Sequence, residues 1–317
     1  MTNTGIKYEI TGNPYRGSVQ NYHAKPQPLK LNKTPHRVDI AGLKQVDRDA
    51  ILFTNYDGEQ ETKFTIGFEV EKNALHRGAV KEYELFCGFE RDSSCGYEAV
   101  THILPLLPAG LWRNKVYDMM HKATKIIDDR YSPSSSNCGG HVTIAVRGMD
   151  GNEIKHHVRK YSGLILAMFK KRLTNGYCNG NLNMVDNDAS TSEMFNGWGG
   201  RYQLALAKGD LLEFRVVSRF QSVKQMMRRY ELFYELLDYS INRDRGTFKG
   251  FLNKVKPIVL SMYDNDADKV AEVFKIAEAM QKFINTGKVN KVIREWVDPH
   301  RNRTSWYDAE LRREMGL

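Results

Sequence analysis

The chain has 317 residues, a formal net charge of +9 and an isoelectric point near 9.2. Apolar residues at 41% and aromatics at 11% provide for a sizeable core, which argues against wholesale disorder. No apolar run reaches the roughly 18 residues of a membrane helix, and "MTNTGIKYEITGNPYRG" has no apolar core to act as a signal peptide, so a soluble, cytoplasmic protein with no membrane partner is expected.

In chain order, residues 1–60 read as an N-terminal arm or small strand-rich layer, rich in proline and holding the loop-like "PYRGSVQNYHAKPQP". Residues 61–220 read as strands interleaved with two helices, at 111–131 and 157–173. Within them, "TNGYCNGNLNMVDNDASTSEMFNGWGG" (174–200) is dense in Asn, Gly and Asp. Its Tyr177, Phe195 and Trp198 suggest an ordered cover over a site. Residues 221–317 read as a helical region, with helices starting near 223, 251, 266 and 288. Pro257 is expected to start or kink the second, and Asp264 or Asp266 to cap the third.

Four widely spaced cysteines (Cys87, Cys95, Cys138, Cys178) form no C-x-x-C pair, which argues against a zinc ribbon and a disulfide-rich secreted fold. Reduced thiols are expected, with Cys87 and Cys95 near enough to meet in space. The positive charge suits an anionic partner (nucleic acid, nucleotide or acidic substrate) or a merely solvated basic surface.

Three segments share one asymmetry. "FTIGFEVEKN" (64–73) alternates Phe64, Ile66, Phe68 and Val70 with Thr65, Gly67, Glu69 and Glu71, so a strand puts both carboxylates on one face. "HVTIAVR" (141–147) opposes Val142, Ile144 and Val146 to His141, Thr143 and Arg147. "LLEFRVV" (211–217) opposes Leu212, Phe214 and Val216 to Glu213 and Arg215. "ERDSSCGYEAVTHIL" (90–104) adds Asp92 and Glu98. A sheet packed on helices by one face and lining a polar cavity with the other gives this pattern. Taken singly, Glu69 or Glu71 is an ordinary solvated strand residue, His141 a turn histidine, and Glu213 with Arg215 a surface ion pair. Pooled on one concave face, the carboxylates would repel without cations, and oxygen-rich sites suit Mg²⁺ or Mn²⁺ beside phosphate oxygens. Arginines such as Arg201 and Arg215 clamp phosphate.

"IGFEVEK", "DSSCGYEAV", "NCGGHVTIAV", "RYQLAL" and "LLEFRVVS" resemble, in order, the motifs of the amidoligase family over about residues 62–220. That resemblance implies an α+β, glutamine-synthetase-like catalytic domain over 61–220. Its curved, mostly antiparallel sheet would carry helices on one face and an active site on the other, with 221–317 as a helical C-terminal region. It implies metal ligation by Glu69, Glu71, Glu98 and Glu213, with Asp92 at a conserved acidic position beside them. It assigns His141 to metal or nucleotide phosphate, Arg201 to ATP phosphates and Arg215 to the transferred phosphoryl group, and makes all three catalytic. The family's second histidine is Thr143 here, its serine after the Glu98 motif is Thr101, and its asparagine after R-Y is missing.

The activity so implied is an ATP- and Mg²⁺-dependent ligase that joins a carboxylate to an amine through an acyl phosphate, giving an amide or isopeptide bond. The substrates include ones linked to a peptide or macromolecule, and glutamine-synthetase relatives often form rings, so a homo-oligomer is among the expectations. Two other readings stand beside it. One is a phosphotransferase on a related core; the other is a non-catalytic nucleic-acid-binding protein using Lys224, Arg228 and Arg229 on helix 222–241.

Overall fold

The computed structural model describes residues 62–75, 83–92, 94–174, 178, 203–286 and 290–291. The N-terminal arm, most of the 174–200 loop, Arg201 and nearly all of the helix expected at 288–297 lie outside them. Among the described residues the chain is α+β, with strands paired mostly antiparallel. In chain order they form β1 (Phe64–Lys72), β2 (Phe86–Asp92), β3 (Gly96–Thr101), β4 (Leu104–Pro105), α1 (Leu111–Lys122), α2 (Thr124–Ile127) and β5 (Val142–Val146). Then come α3 (Gly151–Val158), α4 (Gly163–Met168), a 3-10 turn (Lys170–Thr174), β6 (Ala205–Lys208) and β7 (Leu211–Phe214). The chain continues with α5 (Val223–Leu237), a π turn (Asp238–Asn242), α6 (Phe248–Met262) and α7 (Ala267–Thr286). None of these helices is long and apolar enough to cross a membrane.

Two compact units result. The first takes the described residues up to Met149 together with Arg219–Tyr230, and the second takes Asp150–Ser218 and the described residues from Glu231 onward.

In the first unit the strands run β2-β3-β1-β5, all antiparallel, and the short β4 also pairs with β1. The alternation read from the sequence holds: Phe64, Ile66, Phe68 and Val70 are all buried. Phe68 meets the Phe220 ring edge-on at 5.6 Å. Tyr230 on α5 ties the β4 region down, its hydroxyl donating to Pro105 O (2.7 Å) and accepting from Leu107 N (2.9 Å). Lys72 continues the parity of Phe68 and Val70 and is fully buried. Its ammonium donates to Ile127 O (2.7 Å), Phe220 O (2.8 Å) and Asp129 Oδ1 (2.7 Å).

The helix expected over 111–131 is interrupted at Ala123 and ends at Ile127. Asp128 is extended (ψ 130), and its Oδ1 accepts from Arg130 N (2.9 Å) and the Arg130 guanidinium. An aspartate that can bond its own downstream backbone competes with helix continuation, and Ile127 O is already committed to Lys72.

In the second unit the expected helix 157–173 is corrected to two shorter ones. The first starts at Gly151 because Asp150 caps it: Asp150 Oδ1 accepts from Asn152 N (2.7 Å) and Glu153 N (2.9 Å), while Glu153 Oε2 accepts from Asp150 N (2.8 Å). This D-x-x-E capping box was readable in the sequence. The second, α4, packs against α7. Gly163 N donates to Gln281 Oε1 (3.0 Å), and a Cβ on Gly163 would lie 2.7 Å from both Ala277 O and Gln281 N. Those are backbone atoms of a buried helix, so the contact cannot be relieved by a rotamer change. Gly163→Ala is expected to destabilise the protein by about 2–3 kcal/mol, read from the denaturant midpoint, whereas the same change at Gly148, where a Cβ meets nothing within 4 Å, should give only the smaller effect of its left-handed φ of 75°.

Two further expectations are adjusted here. β7 stops at Phe214 rather than 217, because Arg215 N (2.9 Å) and Val216 N (3.2 Å) both turn to Leu204 O. Pro257 sits inside α6, which begins at Phe248 under a cap from Thr247 Oγ1 to Gly250 N (3.0 Å). The proline removes one helical N–H, and the exposed carbonyl side it faces can be served by water. Asp266 caps α7 as expected, accepting from Lys269 N (3.0 Å).

Lys155 on α3 carries a pH signature. Burial pushes its ammonium down to about 8 from the ordinary 10.5, and its Nζ donates to the neutral Gln203 Oε1 (3.1 Å). The unfolded chain therefore binds more protons than the folded one between pH 8 and 10.5, and stability attributable to this residue rises across that window. The melting temperature of wild type minus that of Lys155→Met should increase from pH 8 to pH 10.5; a difference that is flat with pH would disprove it.

Candidate functional site

The polar face of the first unit's sheet is assembled by register. Glu71 lies directly opposite Glu98 in the β1–β3 pair. Phe68 lies opposite Val142 in β1–β5, so Glu69 is next opposite His141, and Glu69 N indeed donates to His141 O (3.1 Å). Directly opposed residues project to the same face with Cβ atoms about 5 Å apart. Glu69, Glu71, Glu98 and His141 therefore share one face.

The His141 ring stands between two carboxylates. Its Nδ1 is 2.5 Å from Glu69 Oε2, and its Nε2 is 3.5 Å from Glu71 Oε1. Glu71 is buried, and its other oxygen, Oε2, accepts from Gly139 N (2.5 Å). The "NCGGH" segment thus has a job the sequence alone did not disclose: it carries an amide donor for Glu71 and, two residues on, the imidazole. Glu69 and Glu71 with Glu98 on the neighbouring strand are a concentration of negative charge that a protein stabilises only with a compensating cation or a proton.

Asp92 closes the β2–β3 turn and keeps the parity of the Glu98 face. Its Oδ1 accepts from Ser94 N (2.6 Å), Ser94 Oγ and Cys95 N (3.1 Å), closing the β2–β3 turn. Burial works to raise this carboxyl, but those three donors outweigh it and hold it below the usual range. The structure gives Asp92 a turn-forming role, and the D-S-S order was its signal.

Glu213 and Arg215 belong to the second unit. The Glu213 carboxylate is fully buried, with Oε1 accepting from the Arg215 guanidinium (2.5 Å) and Oε2 paired with Lys208 Nζ. The pair expected two apart on one strand face is present, with a lysine from β6 that the sequence reading did not single out. Arg201 is outside the described residues. Of the basic set proposed for nucleic acid, Arg229 is buried: its guanidinium lies over the Phe220 ring at 4.4 Å and donates to Arg219 O (3.1 Å). It is committed to the core and does not offer charge to a phosphate backbone.

A pair of thiols lies beside this face. Cys95, in the β2–β3 turn, and Cys138, next to Gly139, are both buried, and Cys95 Sγ contacts Tyr97 O (3.4 Å). Interaction between the two thiols, with burial, pushes Cys95 up, and the same interaction holds Cys138 below its ordinary value. The expectation that Cys87 and Cys95 meet falls on the side chain of Cys87, which is outside the described residues.

Compared with known proteins, the chain matches no family model and no curated sequence.

Proposed function

We propose that the chain is an ATP-dependent carboxylate–amine ligase on a glutamine-synthetase-like catalytic fold, with a hard divalent cation held on the β1–β3–β5 face. The observation that carries this reading is the gathering of Glu69, Glu71 and Glu98 on one face, with His141 seated between the first two. The donor set fits the group: carboxylate oxygens outnumber the single imidazole, which favours Mg²⁺ or Mn²⁺ over softer ions. Such a cation supplies charge neutralisation for the phosphates of ATP.

The residues would then divide the work. Glu69, Glu71 and Glu98 hold the cation, and Gly139 N fixes the orientation of Glu71. His141 spaces the two β1 carboxylates and turns a nitrogen toward each. The amidoligase resemblance adds Glu213 as a ligand, His141 and Arg201 at the ATP phosphates, and Arg215 at the transferred phosphoryl group. A substrate carboxylate would take the γ-phosphoryl group, ADP would leave, and an amine would displace phosphate from the acyl phosphate to give the amide. The 174–200 loop would keep water from that intermediate.

A thermal-shift titration with a non-hydrolysable ATP analogue, with and without Mg²⁺, tests the reading without knowledge of either substrate. A ligand that binds only the folded state at about 100 times its Kd adds about 2.7 kcal/mol. The expected result is an upward shift that requires both analogue and Mg²⁺. No shift, or one indifferent to Mg²⁺, would remove the nucleotide–metal site and the ligase with it.

A further inference from the structure

The chain leaves α2 at Ile127 and enters β5 at Val142, and the connection between them passes the end of β1. Two successive β1 residues, on opposite faces of the strand, hold that connection near its two ends. On the site face, Glu71 Oε2 accepts from Gly139 N (2.5 Å) close to the exit. On the core face, Lys72 Nζ donates to Asp129 Oδ1 (2.7 Å) close to the start, and the same oxygen accepts from Ser134 Oγ (2.6 Å). Lys72 is fully buried and also donates to Ile127 O and Phe220 O, so its ammonium is fixed from three directions. Asp129 is fixed in turn by that cation and by its own amide, which donates to Gln221 O (3.1 Å). Ser134 is thus held to an anchored carboxylate by a short, charge-assisted hydrogen bond. The rest of the connection is braced on both sides of it. Asn73 N donates to Pro133 O (2.9 Å), and Cys138 N donates to Ser135 O (3.0 Å). Where Ser134 is held therefore sets where the Gly139 amide points.

We infer that Ser134 is a positioning residue for the Glu71 carboxylate, linking the buried Lys72–Asp129 pair to the loop that carries the Gly139 amide. With Gly139 N on Oε2, the second carboxylate oxygen, Oε1, faces the His141 ring at 3.5 Å. A connection released at Ser134 loosens the Gly139 bond, and Glu71 then leaves that orientation for others. Groups that orient a metal-binding side chain from behind typically change metal affinity 10–100-fold when removed. The Asn73–Pro133 backbone bond survives loss of the hydroxyl, which places Ser134 at the lower end of that range. That the oriented carboxylate holds a cation rests on the ligase reading above; that Ser134 orients it rests on the hydrogen bonds themselves.

The test measures hydrogen exchange of the Gly139 amide by NMR and binding of Mn²⁺ alone by electron paramagnetic resonance. Both are read on the full chain as wild type, Ser134→Ala and Ser134→Thr. In Ser134→Ala the Gly139 amide should exchange about 10-fold faster, while the β5 amides keep their wild-type rates. Mn²⁺ affinity should fall about 10-fold in the same variant. Ser134→Thr keeps the hydroxyl and should restore both values. A hydroxyl that serves only general stability would speed Gly139 and β5 together, and one that holds nothing would speed neither; each result overturns the inference. Faster exchange at Gly139 with unchanged Mn²⁺ affinity overturns it as well. A wild type that binds no Mn²⁺ would remove the cation from the site, and the Gly139 rate would still decide whether Ser134 holds Glu71 in place.

Discussion

Replacing Lys72 with methionine is expected to lower the unfolding free energy by about 3 kcal/mol, measured as a loss in denaturant midpoint at unchanged slope. Lys72 is a fully buried ammonium at the end of β1, and it donates to two backbone carbonyls, Ile127 O and Phe220 O, as well as to Asp129. Methionine keeps the volume of the stem and removes every donor. Each buried carbonyl left without one forfeits about 1–3 kcal/mol, and the Asp129 carboxylate loses its nearest cation. Working against this is the desolvation of the ammonium, the main cause that lowers its pKa in the fold, and this relief places the estimate at the bottom of the range for broken buried pairs. Asp129 also keeps the Ser134 hydroxyl (2.6 Å). Asp129→Asn, added to Lys72→Met, should therefore recover only part of the loss, because the two carbonyls remain. A single-variant loss below about 1 kcal/mol would show that the three contacts do not hold the strand.

How much of this was legible in the sequence depends on range. The β1 parity was local, and it put Glu69 and Glu71 on one face; one step further it reaches Lys72, whose charge the core accommodates only through three acceptors. Two of those acceptors, Ile127 O and Phe220 O, are backbone groups from distant segments that no side-chain pattern encodes. Likewise the seating of His141 against Glu69 depends on strand register across 72 positions, which alternation cannot supply. The misread helix bounds were local competitions. The D-S-S-C order around Asp92 encodes the turn that its Oδ1 closes. The start of α3 was written in D-G-N-E, while the apolar run after Ser162 drew the expected helix too far toward the C-terminus.

Neutralising Glu71 should separate the two roles a buried carboxylate can have. In Glu71→Gln the amide oxygen can still accept from Gly139 N, and the side-chain volume is unchanged, so the local fold has what it needs. What is lost is one negative charge from a face that carries Glu69, and Glu98 directly opposite. If the carboxylate is kept for its pairing with His141 at 3.5 Å, the ligand-free variant should melt lower than wild type. If it is kept for a cation, relief of like-charge repulsion should leave the ligand-free melting temperature equal or higher, while cation affinity falls by at least about 100-fold, more than the 10–100-fold lost when only a supporting group is removed. The expected result is the second pattern: a stable ligand-free variant whose melting temperature no longer responds to the ATP analogue with Mg²⁺. The pattern is diagnostic because a merely structural glutamate loses stability first. A variant that melts several degrees lower yet still shifts with Mg²⁺ and analogue would take Glu71 out of the site and leave it as a strut for the Gly139 loop.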